Sequence, residues 1–163
     1  MKRLETVANI AVIVAVVVFL VFIGREEYQR HNMPHPMSAK DLIGTKVTLP
    51  GVHFSPANKT LLIAISTTCH FCRDSEPFYK DLLAKNNGRL NIVAVLPQPL
   101  AEAQAYVQNS IAPSVQVVSA QLDSFGVSGT PTLLLVDGSG KVQQAWVGKL
   151  DDKGQQQVAS SLM

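Results

Sequence analysis

Apolar positions along this chain fall into one long block and a series of short ones. The long block runs from Val7 to Ile23 and is broken by a polar residue only at Asn9. The short blocks alternate between strand and helix patterns. Lys46–Leu49 predicts a short strand, Leu61–Ser66 a buried central strand, and Arg73–Lys85 a helix with apolar spacing at Phe78, Leu82 and Leu83. Leu90–Leu96 predicts a strand, Leu100–Asn109 a helix, Val115–Val118 a strand and Leu122–Phe125 one helical turn. Thr132–Val136 and Val142–Val147 predict two strands joined through Asp137-Gly138-Ser139-Gly140, and Gln155–Leu162 a closing helix. Strands alternating with helices and ending in a hairpin imply an α/β fold with a central mixed sheet flanked by helices.

The long block has the character of a membrane anchor. Its seventeen residues reach about 25 Å as a helix, somewhat short of a hydrocarbon core of about 30 Å, and Lys2, Arg3 and Arg25 stand at its ends to cover the deficit. It is longer than the apolar region of a signal peptide and has no small-x-small cleavage site after it, which favours an uncleaved anchor. Basic residues are balanced across it, two before (Lys2, Arg3) and two after (Arg25, Arg30), so the short N-terminus makes N-in, C-out the expected orientation. Residues 25–39 are polar and contain Pro34 and Pro36, as a tether does, with His31 and His35 as solvated linker residues. The expected organisation is therefore an anchor over 1–24, a tether over 25–39 and a globular domain over 40–163. That domain would face the extracytoplasmic side of the cytoplasmic membrane, where disulfides persist.

Composition narrows the chemistry. Of 163 residues, 47% are hydrophobic and 16% charged, and the net charge of +2 is spread without any block of like sign, so nucleic acid is not an expected partner. No Walker or dinucleotide loop, His-Glu-x-x-His or serine nucleophile elbow occurs. The chemistry that remains sits in the only two cysteines, Cys69-His70-Phe71-Cys72, at a strand-to-helix junction. Free backbone N–H groups at a helix N-terminus, together with a protonated His70, favour a thiolate at Cys69. Cys72, three residues on, can reach the same sulfur and resolve a mixed disulfide. As a structural staple the pair is poorly placed, since closing so short a loop gains only about 2 kcal/mol. As a zinc site it lacks two ligands, because His31, His35 and His53 supply no second close pair. A c-type haem would need His where Arg73 stands. No cofactor or metal is expected beyond the Cys69–Cys72 disulfide.

A second piece lies at Gly126-Val127-Ser128-Gly129-Thr130-Pro131-Thr132, just before the continuous apolar run Leu133–Val136. A cis bond at Pro131 would expose the backbone of Thr130 as an edge for an extended peptide. Glu76 reads as a first-turn carboxylate suited to the helix dipole, with proton transfer to Cys72 as its alternative role. Trp146 reads as a core or rim aromatic.

Taken together, Cys-x-x-Cys at a strand-to-helix turn, Pro77 five residues later, Gly-Thr-Pro-Thr before a strand and Asp-Gly-Ser-Gly-Lys-Val in the next hairpin resemble the thioredoxin superfamily. The membrane-tethered TlpA and ResA branch is the most similar, over about Lys40 to Leu150. The resemblance implies a thioredoxin-like fold in which Cys69 attacks, Cys72 resolves and Pro131 is a cis-proline beside them. It also implies that Pro77 kinks the active-site helix, and that the segment between Leu90 and Val118 holds an extra strand and helix. The chain departs from the family in three ways: Thr68 replaces a common Trp, Leu61–Ile65 carries no buried acid, and the intervening pair is His-Phe.

The expected activity is thiol–disulfide exchange on protein cysteines, with the chain as reductant and a membrane electron donor or acceptor as its redox partner. His70, Phe71, Thr130 and Pro131 are the expected supporting residues of that site. A thiol peroxidase is one alternative, on the weak echo Ser66-Thr67-Thr68-Cys69, which lacks the usual proline. A non-catalytic binding or metal-chaperone module is the other.

Overall fold

The computed structural model describes residues 14–22, 24–25, 38–86 and 88–161. The chain divides into two compact units, residues 1–36 and 37–163. In the first, residues 14–22 and 24–25 are helical, and the side chains from Val16 to Phe22 are about half exposed or more. Among the described residues no helix is long and apolar enough to cross a membrane. Residues 1–13 and Ile23 of the expected anchor, and His31 and His35 of the expected tether, lie outside the described residues.

The second unit opens on a capping box. Ser38 Oγ accepts from the Lys40 N–H at 3.3 Å while Asp41 Oδ2 accepts from the Ser38 N–H at 3.0 Å, starting the short helix α1 (Ala39–Leu42). Five strands follow: β1 (Thr60–Ala64), β2 (Asn91–Leu96), β3 (Gln116–Ser119), β4 (Thr132–Val136) and β5 (Val142–Val147). They lie in the order β3-β2-β1-β4-β5. β1 runs parallel to β2 and antiparallel to β4, so the sheet is mixed, as the alternation of elements predicts. β1 and β4 are buried on both faces along their whole length, which is why they read as continuous apolar runs rather than alternating ones.

Alternate residues of these strands feed two cores. Leu61, Ile63 and Ile65 join Ile92, Leu96 and Leu133 under the helices α2 (His70–Asp74), α3 (Glu76–Asn86), α4 (Leu100–Ser110) and α5 (Asp152–Ser161). Leu62, Ala64, Val93, Leu134 and Val136 face the other way, onto Leu42, Val47, Phe125 and Val127. The segment between β2 and β3 carries α4, so an added helix and edge strand stand where the family resemblance places them.

Two local expectations need correction. Lys46–Leu49 is not a strand. Val47 and Leu49 do alternate inward, but the segment makes only an isolated bridge, Lys46 to Lys141, because its partner β5 begins at Val142 and Pro50-Gly51 turn the chain away. The single helix expected over Arg73–Lys85 is two, parted at Ser75 (φ −93°, ψ −5°). Pro77 has no N–H to offer the carbonyl of Arg73 and its ring crowds that turn, so the break falls just ahead of it.

The β4–β5 hairpin turns on Asp137. Its Oδ1 accepts from the Ser139 N–H at 2.8 Å, the Ser139 hydroxyl at 2.6 Å and the Lys141 N–H at 3.1 Å. Gly140 closes the turn at φ +83°, where a Cβ would also press to 2.8 Å from the Val47 carbonyl. The hydrogen bonds from the Ser139 side chain and the Ser139 and Lys141 backbone draw the Asp137 carboxyl down to about 2. A depressed carboxyl stabilises the fold fully above its unfolded value of about 4 and loses that contribution as pH falls through its folded value. An Asp137→Ala variant should therefore melt below the wild type at pH 7, and the gap should close between about pH 4 and pH 2 in paired thermal melts.

Candidate active site

β1 delivers the chain to the dithiol. After Ala64 the strand runs out through Ile65 and Ser66, and the Ser66 carbonyl accepts the Cys69 N–H at 3.2 Å. Cys69 is then the N-cap of α2, in extended conformation at φ −82° and ψ 115°. Its Sγ occupies the place a serine or aspartate oxygen usually takes, accepting the Cys72 N–H at 3.2 Å. An anion at this position meets unpaired helix N–H groups, so the fold itself favours a thiolate there. Cys72, inside the first turn, is fully buried, whereas Cys69 is half-buried, and both are free thiols.

The second piece comes from the other side of the sheet. β4 runs antiparallel to β1 with Ala64 opposite Thr132, so the residues just before β4 arrive beside the residues just after β1. The Thr130–Pro131 bond there is cis. Cys69 Sγ donates to the Thr130 carbonyl at 3.4 Å across 61 residues of sequence. Cys69, Cys72, Thr130 and Pro131 are thus brought together.

The two thiols are unlike. Burial by itself pushes the Cys69 thiol up, but hydrogen bonding with the Cys72 side chain, the Thr130 side chain and the backbone of Cys72 and Phe71 outweighs it and holds Cys69 below the ordinary thiol range. The contact with the Thr130 carbonyl favours the protonated form, and it is overcome by these donors. Burial and the hydrogen bond to Cys69 push Cys72 up to about 12. One sulfur is poised to ionise, and the other keeps its proton.

The remaining candidates lie around this pair. His70 is mostly exposed and sits 3.7 Å (Nε2) from Asp74 Oδ2, which also accepts from Lys149 Nζ at 2.8 Å. The hydrogen bond from Lys149 holds the Asp74 carboxyl below the usual carboxylate range despite its partial desolvation. Phe71 is 56% exposed, its ring centroid 5.8 Å from that of His70. Glu76, at the start of α3, accepts the Tyr106 hydroxyl at 2.8 Å. Trp146 is partly buried against the core, and His53 lies exposed in a loop. Among the described residues no group of three or more His, Cys, Asp or Glu stands close enough to hold a metal ion.

Sequence reasoning passed over the polar side chains that brace the site. Gln98 Nε2 donates to Ser66 Oγ at 2.8 Å, Thr67 Oγ1 to Glu102 Oε1 at 2.7 Å, and Tyr106 as above. The spacing of four shared by Gln98, Glu102 and Tyr106 was the available signal.

A family model for the thioredoxin-like domain matches residues 55–158, which spans β1 to α5 and includes both cysteines and Pro131. The chain belongs to the thioredoxin-like domain family. Solved thioredoxin-like structures share the fold at low identity. One, described as a thiol:disulfide interchange protein DsbE from Chlorobium tepidum, is 20% identical with a TM-score of 0.57, covering 74% of this chain and 99% of that one. A secreted Mycobacterium tuberculosis disulfide oxidoreductase homologous to E. coli DsbE is 14% identical with a TM-score of 0.54, covering 77% and 98%. The pneumococcal exposed lipoprotein thioredoxin Etrx1 from Streptococcus pneumoniae is 17% identical with a TM-score of 0.53, covering 65% and 86%. No curated protein matches the chain. The thioredoxin-like neighbours agree with the resemblance read from the cysteine and proline motifs.

Proposed function

We propose that this thioredoxin-like chain is a membrane-anchored, extracytoplasmic oxidoreductase that reduces disulfides in other proteins. The observation that carries the reading is the unequal dithiol. A half-exposed Cys69 sulfur is held low at the N-terminus of α2, and a buried Cys72 sulfur at about 12 stands behind it. The Cys69 thiolate attacks one sulfur of a substrate disulfide, forming a mixed disulfide and releasing the first substrate thiolate. Cys72 then gives up its proton and attacks Cys69 Sγ. The Cys69–Cys72 bond forms, the bond to substrate breaks, and the second substrate thiolate departs. Two electrons pass to the substrate, and a thiol-based donor at the membrane returns them. Glu76, first residue of α3, is the acceptor we assign to the Cys72 proton. Thr130 and Pro131 offer the edge on which the substrate peptide lies, with His70 and Phe71 on the opposite rim.

The anchor rests on the apolar run Val7–Ile23, and the extracytoplasmic side on the persistence of disulfides there. The names of the secreted and exposed neighbours point the same way. The direction of electron flow rests on the resemblance to the tethered branch. A measured potential near the reducing end of this fold, about −270 mV, is expected. A value near −120 mV would reverse the assignment of direction while leaving the exchange chemistry standing.

The deciding experiment is a Cys72→Ser variant expressed in its own membrane. Cys69 should accumulate mixed disulfides with extracytoplasmic proteins, seen as adducts that collapse on reduction. Absence of adducts with the anchor intact would overturn the reading.

A further inference from the structure

Gln98, Glu102 and Tyr106 lie at a spacing of four, just before and within α4, and each reaches a residue that flanks the dithiol turn. Gln98 meets Ser66 and Glu102 meets Thr67, the two residues that lead from β1 towards Cys69. Tyr106 meets Glu76, on the far side of Cys72. The Cys-x-x-Cys turn is therefore held at both ends by one helix. From Gln98 the bonding continues inward. Ser66 Oγ lies 3.1 Å from Thr68 Oγ1 and accepts the Thr68 N–H at 3.4 Å, and the Ser66 carbonyl takes the Cys69 N–H. The Gln98 backbone is itself held, its main-chain carbonyl accepting the Ser119 hydroxyl at 2.7 Å.

We infer that Gln98, Glu102 and Tyr106 are positioning residues, a clamp from α4 and the turn before it that sets the orientation of Cys69 at the helix N-terminus and the depth of Cys72 behind it. The contact between the Cys72 N–H and Cys69 Sγ is only as good as the loop geometry that aims it, so freeing Ser66 and Thr67 weakens the support for a Cys69 thiolate. At the other end, Tyr106 fixes one carboxylate oxygen of Glu76. Burial, with Glu76 beside it, pushes the Tyr106 phenol up, so it stays a donor throughout the working pH range. Only the kinetic consequence of the clamp rests on the exchange chemistry proposed above.

The test uses the full chain in its membrane, reduced, with Glu102→Ala, Glu102→Gln, Tyr106→Phe and the triple Gln98→Ala/Glu102→Ala/Tyr106→Phe. Iodoacetamide labelling of Cys69 against pH reads its ionisation. Its rate at pH 7 should fall about threefold in Glu102→Ala and about tenfold in the triple variant, with the midpoint moved to higher pH, because the rate follows the thiolate fraction. Glu102→Gln keeps an oxygen for Thr67 and should label like the wild type. The lifetime of a glutathione mixed disulfide on Cys69 should lengthen about fivefold in Tyr106→Phe, because its decay needs attack by Cys72. Wild-type labelling profiles and lifetimes in a folded triple variant would overturn the clamp. Should the triple variant fail to fold, the Glu102→Ala and Glu102→Gln pair, at an exposed site, decides the same question. Should even the wild type neither form nor resolve a glutathione adduct, the exchange reading falls and the labelling profiles alone judge the clamp.

Discussion

A Cys69→Ser chain is expected to lose disulfide exchange by at least about a thousandfold, measured as turnover of a dithiol-coupled peptide disulfide at pH 7. The only other thiol is Cys72, which is fully buried and held at about 12. Burial keeps such a group protonated at neutral pH, and it has no open path to a foreign sulfur. Cys72→Ser should behave oppositely. Attack by Cys69 survives, and turnover stalls at the adduct because nothing remains to displace the substrate. A Cys69→Ser chain retaining more than a tenth of wild-type turnover would show that the two thiols exchange roles, contrary to their unequal burial.

The second large effect is structural. Leu134→Ala should lower the free energy of unfolding by about 2–5 kcal/mol, read from urea denaturation with an unchanged slope. Leu134 has no exposed surface, stands opposite Leu62 in the β1–β4 ladder, and packs with Val93 and Val136 in the core on the face away from the dithiol. Truncation there leaves a cavity in the middle of two strands buried on both faces, with little freedom to collapse. Phe71→Ala, by contrast, removes a side chain already more than half exposed and should shift stability by less than about 0.5 kcal/mol. Any larger consequence of that change should appear as a raised KM for protein substrates, since Phe71 forms part of the proposed rim.

Much of the architecture was legible in the chain because the local signals and the global fold agree. Leu61–Ser66 and Thr132–Val136 carry runs that only a doubly covered strand requires, and the Cys-x-x-Cys pair falls where a strand hands over to a helix. Lys46–Leu49 misled because inward alternation reports burial, and burial does not supply a pairing partner. The helix α5 begins at Asp152, earlier than its apolar spacing suggests, because Asp151 Oδ1 receives the Gly154 N–H at 2.8 Å and offsets the cost of a glycine in the first turn. Ser38 and Asp41 form a capping box whose polar letters are indistinguishable from tether. The clamp was hidden for another reason. Glu102 and Tyr106 look like the solvent face of α4 and Gln98 like part of the turn before it, and their partners at Ser66, Thr67 and Glu76 become neighbours only once the sheet is assembled.

The opposed directions of β1 and β4 carry a consequence for how such a chain can diversify. The sulfur-bearing turn leaves one strand and the proline turn enters the other at the same end of the sheet, so a five-rung ladder brings them together whatever the length of the loops between them. Material spliced into those loops can grow or shrink with the reactive corner still assembled. What such grafts alter is the bracing around it, and with it the temper of the sulfur.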